Sequence, residues 1–417
     1  MTDRVPKGVK VLIGAIFLAR LGQAVVVAIV GLQVYQITGR ELDLGLLGLV
    51  QFIPVFLLSP AAGFVSDRFD RRKVYAVGLM FETLVSFGLV LYSVSEPTSV
   101  MPAFGLMGLF GVGRSLVAPS GWALPIDMSP PSVVSRVVAI RSGSFQIATI
   151  IGPITGAVLY DRSAELPYLA SAIIYVASIV ALFFVPKPTT IKMTQATTPR
   201  AAVRDAFEGL RFIRRTPTVL GIITLDLFAV LLGGAVALLP AIADERLGVG
   251  VIEFGWLRAS IAIGALGMAI ILAARPMRRH AGVKMLVAVF IFGVATIVLG
   301  LTTNFVVALG ALAVLGAADV VSVVVRSSVT PLATPEHMRG RVLATESVFI
   351  GGSNELGAVE SGLVGQWLGA SLAVITGGIG TLLVVVLWWK LFPALREIDR
   401  MQDITPEVVF GGLHPPP

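Results

Sequence analysis

The sequence has no cysteine among its 417 residues, so disulfides, thiolate nucleophiles and cysteine-held metals are excluded at once. Histidine is almost as scarce: His280, His337 and His414 lie scattered without metal-ligand spacing, and neither a metal nor any other cofactor is expected. No lysine closes a phosphate-cradling G-x-x-x-x-G-K-[ST] loop, which leaves no ATPase in the chain itself. No nucleophile stands beside a base, no catalytic residue can be named, and the chain does not read as an enzyme. Charge is also scarce, at 14% of residues. The formal net charge of +7 would suit a nucleic-acid partner, but the basic residues sit in short segments between apolar runs and form no stripe. They read as topology signals, and no nucleic acid is expected.

What the sequence has in quantity is apolar surface, with 56% hydrophobic residues and a mean hydropathy of +0.89. Such a chain must face hydrocarbon, where every backbone N–H and C=O has to be paired within its own segment, so only helices or closed barrels serve. The apolar runs are continuous for about 20 residues, the length of a spanning helix, whereas barrel strands alternate over about 10. Twelve spans are expected, at roughly 10–34, 44–65, 74–95, 102–126, 138–160, 168–186, 218–243, 253–274, 284–302, 305–330, 343–367 and 370–392. The first is too long for a signal-peptide core, carries Arg20 and Gln23, and lacks a cleavage site, so it is expected to stay in the mature protein.

Lysine and arginine fall on alternate connections. Arg68, Arg71, Arg72 and Lys73, then Arg136 and Arg141, then Lys187 to Arg215, Arg275 to Lys284, and Arg339 with Arg341 mark one side. The other side holds little beyond Arg40, Arg162 and Arg246. The rich side is expected to be cytoplasmic, which puts both termini there in a multi-pass protein of the cell inner membrane. The expected organisation is an N-terminal six-helix half (1–186), a cytoplasmic linker (187–216), a C-terminal six-helix half (217–392) and a cytoplasmic tail without a fold of its own (393–417). The linker begins polar and Thr-rich. It continues as an amphipathic helix with Val203, Ala206, Phe207, Leu210 and Ile213 at helical spacing and Arg204, Arg211, Arg214 and Arg215 around them, suited to lying on anionic lipid.

The halves read as a repeat. A shift of 205 residues carries Pro130, Arg136 and Val137 onto Pro335, Arg341 and Val342, Gly111 onto Gly316, and Gly152 onto Gly357. A shift across an even number of spans requires two six-span units of parallel orientation.

The connection after the second span, Gly63-Phe64-Val65-Ser66-Asp67-Arg68-Phe69-Asp70-Arg71-Arg72-Lys73, resembles the G-x-x-x-D-R-x-G-R-[RK] signature of the major facilitator superfamily. Asp70 in place of the second glycine, the stretch Gly209 to Arg215, and Arg339-Gly340-Arg341-Val342 resemble its branch of siderophore (enterobactin) and macrolide exporters. The fifth span carries Gly152-Pro153-Ile154-Thr155-Gly156, similar to the antiporter motif of the superfamily, with Ala157 where a further glycine is common. The resemblance covers nearly the whole chain. It implies an all-α membrane protein of twelve transmembrane helices in two pseudo-symmetric six-helix bundles, the major facilitator fold.

Each motif also has a reading of its own. Asp67 at a helix C-terminus opposes the macrodipole unless it meets a cation or another helix's N-terminus. Gly63, Asp67, Arg68, Arg71 and Arg72 therefore read as a conformational latch, with a solvated topology loop as the alternative. Gly152, Pro153 and Gly156 give a smooth, weakened helix, which serves either a gate or a tight packing seam.

Charges inside spans are the site candidates, since each costs about 2.5–3.5 kcal/mol on insertion scales unless it meets a partner or water. Arg20, Arg114, Asp226 and Asp319 all fall near mid-depth, and the repeat relates Arg20 to Asp226 and Arg114 to Asp319. By the resemblance, their helices line the central cavity. The expectation is that cations of the first half close on anions of the second when the cavity is empty, and that a proton on Asp226 or Asp319 loosens them. A permanent salt bridge locking the halves is the alternative. Glu355 and Glu360 in the eleventh span are further candidate proton sites. Gln23 and Gln33 suit either a polar substrate or interhelical hydrogen bonds. Glu82 reads as a structural hydrogen bond, because the resemblance puts its helix at the periphery. Trp256, Trp367, Trp388 and Trp389 read as interface anchors or packing, and Trp122 as a substrate-stacking candidate.

The leading functional reading is secondary transport by alternating access, as proton-coupled efflux of an amphipathic small molecule, a siderophore or a drug, by a monomer. Proton-coupled nutrient uptake and a non-transporting membrane scaffold or sensor are the alternatives. The expected partners are the substrate, the proton and the lipid bilayer.

Overall fold

In the computed structural model the described residues are 5–186, 199–404 and 406. The expected polar stretch at 187–198, the last residues of the tail, and the side chains of Val203 and Ala206 lie outside them. Among the described residues every regular element is helical. The first half comprises α1 (Lys7–Thr38), α2 (Glu41–Arg68), α3 (Arg71–Val94), α4 (Met101–Asp127), α5 (Val134–Arg162) and α6 (Leu166–Phe183). A further helix, α7 (Pro199–Arg215), leads into the second half: α8 (Pro217–Leu232), α9 (Val251–Ala274), α10 (Ala281–Leu301), α11 (Phe305–Leu332), α12 (Glu336–Leu368) and α13 (Ala370–Leu391).

Local chemistry sets the ends. Gly39 closes α1 in the left-handed conformation (φ 59°), and its N–H returns to the Tyr35 carbonyl. Asp70 caps α3 by accepting from the Arg72 N–H at 3.0 Å, so the residue that departs from the superfamily's glycine supplies both a cap and a favourable charge. Asn304 caps α11 through the N–H groups of Val306 and Val307 at 2.9 and 3.2 Å.

The span count differs from expectation at two places. Among the described residues ten helices are each long and apolar enough to cross a membrane, eleven if residues 207–215 and α8 form one bent span. The expected seventh span does not run through to residue 243. Its helix stops at Leu232 after 16 residues, before Gly233-Gly234, and resumes as one turn at Leu239–Ala241 and a π-turn at Ile242–Arg246. Adjacent glycines weaken a helix by their backbone freedom. The expected eleventh span lies within α12, which is 33 residues long but carries Arg339, Arg341, Glu346, Glu355 and Glu360 and is too polar to qualify on hydropathy.

The chain divides into two compact units, α1–α6 and α7–α13 in the main, with Leu44–Leu46 grouped in the second and Gly250–Ala259 in the first. Each unit uses the same packing. In the first, α1 packs on α5 and α6, and α3 on α4 and α6; in the second, α8 packs on α12 and α13, and α10 on α11 and α13. The glycines related by the 205-residue shift do the same work. A Cβ on Gly111 would lie 2.2 Å from the Gln51 carbonyl oxygen of α2, and one on Gly316 2.0 Å from the Ile261 carbonyl oxygen of α9. In both units a glycine lets the second and fourth helices touch backbone to backbone.

α7 ends on the second unit, with Phe212 and Ile213 in its core while Phe207 is 67% exposed. Arg341 of α12 ties α7 down through Asp205 at 2.9 Å and through Glu208. The hydrogen bond from Arg204, aided by Arg341, holds the Glu208 carboxyl below its usual range. The turn from α7 into α8 is 106°, set by extended Thr216 ahead of Pro217. The described part of the tail packs on the second unit, with Leu395, Ile398 and Ile404 in its core. Its backbone accepts from Ala281 and Gly282 at 3.1 Å each.

Candidate functional site

In the first unit, Arg20 and Gln23 stand three residues apart on one face of α1. Arg20 donates to Gln23 Oε1 at 3.0 Å, and Gln23 Nε2 donates to Glu82 Oε1 of α3 at 2.5 Å. The amide thus hands the arginine's polarity on to the carboxylate. Glu82 does not face the periphery, since it is fully buried, and its Oε2 has no hydrogen-bond partner. The charges of Arg20 and of Arg114 on α4 both act on it. Arg141, counted from the sequence among the loop charges, lies on α5, buried, with its guanidinium 3.6 Å from the Trp122 ring centroid. Gln33 donates to Ser93 at 3.0 Å and accepts from Tyr168 at 2.6 Å, an interhelical knot.

In the second unit, Asp226 of α8 accepts from Ser322 Oγ at 3.0 Å and from Arg326, both on α11. Arg326 also pairs with Glu346 of α12 at 3.2 Å. All three charged side chains are buried. Asp319, Ser322 and Arg326 recur at helical spacing on one face of α11. Asp226, Asp319 and Ser322 line a small cavity closed by Val230, Val289 and Phe292. The cation that meets Asp226 is therefore Arg326 of its own half, and Arg20 is engaged with Gln23. Glu360 accepts from neighbouring Ser361 at 3.4 Å, and Glu355 is half-buried. Arg326 and Glu346 are not among the residues expected from the sequence; the insertion cost applied to the cytoplasmic ends of the spans would single them out.

At the Arg-rich end of the first unit, Arg71 bonds Asp67 at 2.6 Å, the Ser66 carbonyl at 3.2 Å, and Asp127 at the end of α4. Arg72 reaches the Val185 carbonyl beyond α6. Asp67 and Asp127 both sit at helix C-termini, where a carboxylate is adverse until a cation answers it. That signal, read at Asp67, would have found Asp127 too. The other two residues expected here stand apart: Arg68 lies over Phe64 of its own helix, at 5.9 Å, and a Cβ on Gly63 would meet nothing within 4 Å. Replacing Arg71 with alanine should cost about 1–2 kcal/mol, given the partial exposure of the cluster. D127N should cost less, because Arg71 keeps Asp67; thermal unfolding in detergent reads the difference.

Gly152 and Gly156 lie on the face of α5 against α1, whereas the Pro153 carbonyl oxygen lies 2.9 Å from where a Cβ on Gly255 would stand. A Cβ on Gly152 would sit 2.4 Å from Ala24 Cβ, and one on Gly156 2.9 Å from Ile29 Cγ1. α5 runs unbroken through Pro153.

Known proteins match this arrangement along most of its length. YfiS of Bacillus subtilis (strain 168), an uncharacterized MFS-type transporter, is 25% identical over 400 residues, 91% of each chain. The enterobactin exporter EntS of Escherichia coli O6:K15:H31 (strain 536 / UPEC) is 24% identical over 417 residues, 95% of each chain. Among solved structures, a POT family transporter in complex with a thioalcohol-conjugated peptide matches with a TM-score of 0.76 at 14% identity, over 94% of this chain and 97% of that one. A D-xylose–proton symporter matches at 0.70 and 15%, over 93% and 98%. At such identities the structural likeness is one of fold. The family description "transmembrane secretion effector" matches residues 9–410, and the chain belongs to that family of major facilitator superfamily transporters.

Proposed function

We propose that this transporter exports an amphipathic small molecule, a siderophore or a drug, across the inner membrane in exchange for protons, by alternating access. The observation that carries the reading is Arg326 shared between Asp226 and Glu346, with Asp319 on the adjoining cavity wall. Two carboxylates and one guanidinium leave one uncancelled negative charge among buried side chains, and one proton cancels it. A proton on Asp226 withdraws its claim on Arg326, which then turns wholly to Glu346; loss of that proton reverses the change. Proton binding is thereby linked to which helix α11 is tied to, α8 or α12, and so to two arrangements of the half. The direction of transport is supported by the family's description and by the exporter among its relatives.

In this reading Arg20, Gln23, Arg114, Asp226, Asp319, Glu355 and Glu360 form the substrate and proton pathway, and the Asp67–Arg71–Asp127 cluster latches one state. The Arg-rich end and both termini face the cytoplasm, and the monomer is the working unit. The test is dye and siderophore movement in inverted vesicles under an imposed pH gradient. D226N and D319N should each remove gradient-driven accumulation while the protein stays in the membrane. Full activity in both variants would overturn the reading.

A further inference from the structure

Two guanidinium groups inside the first unit, those of Arg20 and Arg141, meet no carboxylate directly among the described residues. Arg20, Arg114 and Arg141 come from α1, α4 and α5, and Arg20 acts electrostatically on Arg141 as well as on Glu82. Glu82 meets Arg20 only through the Gln23 amide. Among the described residues no ion pair is made by Arg20 or Arg141, which instead lie over Phe145 at 5.4 Å and over Trp122 at 3.6 Å. Arg141 is 9% exposed, and its Nε is buried with no hydrogen-bond partner.

A guanidinium at such a site is expensive unless an anion answers it. Ring stacking occupies the flat face of Arg141 and leaves its in-plane N–H fork, the geometry that takes a planar carboxylate through two parallel hydrogen bonds. Trp122 and Phe145 are each about half exposed, so an apolar body has aromatic surface beside the charge. We infer that Arg141, with Arg20 and Arg114 as supporting cations, forms a binding site for an organic carboxylate in the first unit. The inference deepens the transporter reading and rests on it for its role, though binding is measured without transport. Arg141 is then the anchor, Trp122 orients its fork, and Glu82 is the internal counter-charge of the empty site.

The test uses the full-length protein in lipid nanodiscs with salicylate, its neutral amide salicylamide, and inorganic phosphate as probes. Salicylate should raise the Tm and change tryptophan fluorescence saturably; salicylamide and phosphate should do neither. R141M should weaken salicylate at least about tenfold, as expected for loss of a charge-assisted hydrogen bond. Its ligand-free Tm should match or exceed that of the parent, because an unanswered buried charge has been removed; a structural role for Arg141 would lower it. R20Q should weaken binding in the same direction, and R275Q, beyond the end of α9 and outside every cluster described above, should leave it unchanged. Failure of salicylate to bind the parent, equal binding of salicylamide, or undiminished binding in R141M would each overturn the inference. Salicylate binding without any gradient-driven transport would instead sink the proposed export function and leave the site standing.

Discussion

Replacing Arg326 with alanine should lower the stability of the second unit by about 3–5 kcal/mol, the cost of leaving buried charges unanswered. The variant strips the cation from Asp226 and Glu346 together, and both acids are buried. Ser322 can still donate to Asp226 at 3.0 Å, but one neutral donor replaces little of a guanidinium. The loss should show as a collapse of monodisperse protein in detergent and a large drop in Tm. Neutralising all three together, as D226N/R326M/E346Q, should return most of the stability, because the cluster then holds no unanswered buried charge of its own. That triple variant should fold and fail to respond to a pH gradient, which separates the structural role of the cluster from its proposed part in proton exchange. A triple variant as unstable as R326A would show that shape, not charge, holds α8, α11 and α12 together.

The seam between α1 and α5 yields the second large effect. A methyl group on Gly152 would stand 2.4 Å from Ala24 Cβ, well inside contact distance, so G152A should push the helices apart at about 1–3 kcal/mol. Removing the opposing methyl in A24G costs about 1 kcal/mol by itself through helix propensity. The double variant A24G/G152A should nevertheless be more stable than G152A alone, with a coupling of about 1–2 kcal/mol between two groups in direct contact. Transport measured beside Tm then discriminates the two readings of the motif. Recovery of both belongs to a packing seam, which the contact geometry favours. Recovery of Tm without transport belongs to a gate that needs the glycine's backbone freedom at residue 152.

Much of the fold was legible because hydrocarbon leaves the backbone few choices. Residues such as Leu12, Ile29, Val85 and Leu312 read as span interior on composition alone, and all are buried. The repeat was legible too: Gly111 and Gly316, chosen only by their common shift, make equivalent backbone contacts. The seventh span was misread because hydropathy averages over Gly233-Gly234, two apolar-neutral residues at which the helix nonetheless ends. The tail is short and Pro-ended and was expected to have no fold of its own; its Leu395 and Ile398 pack beside Gly282 in the core of the second unit, a contact that no local pattern announces.

The sequence by itself determined that this chain is a helical membrane protein, because desolvation of the backbone and the length of apolar runs are local properties. The 205-residue shift added the duplication, and the resemblance at residues 63–73 implied transport. The sequence also set the depth of each embedded charge, since rise per residue is fixed in a helix. Only the tertiary structure decided which charges meet. Asp226 and Arg326 lie 100 residues apart, and Glu82, Gln23 and Arg20 join across α1 and α3. Depth along a helix is written in its sequence, whereas its rotation about its own axis is set by the neighbours it packs against, and that rotation selects the partner of every buried charge.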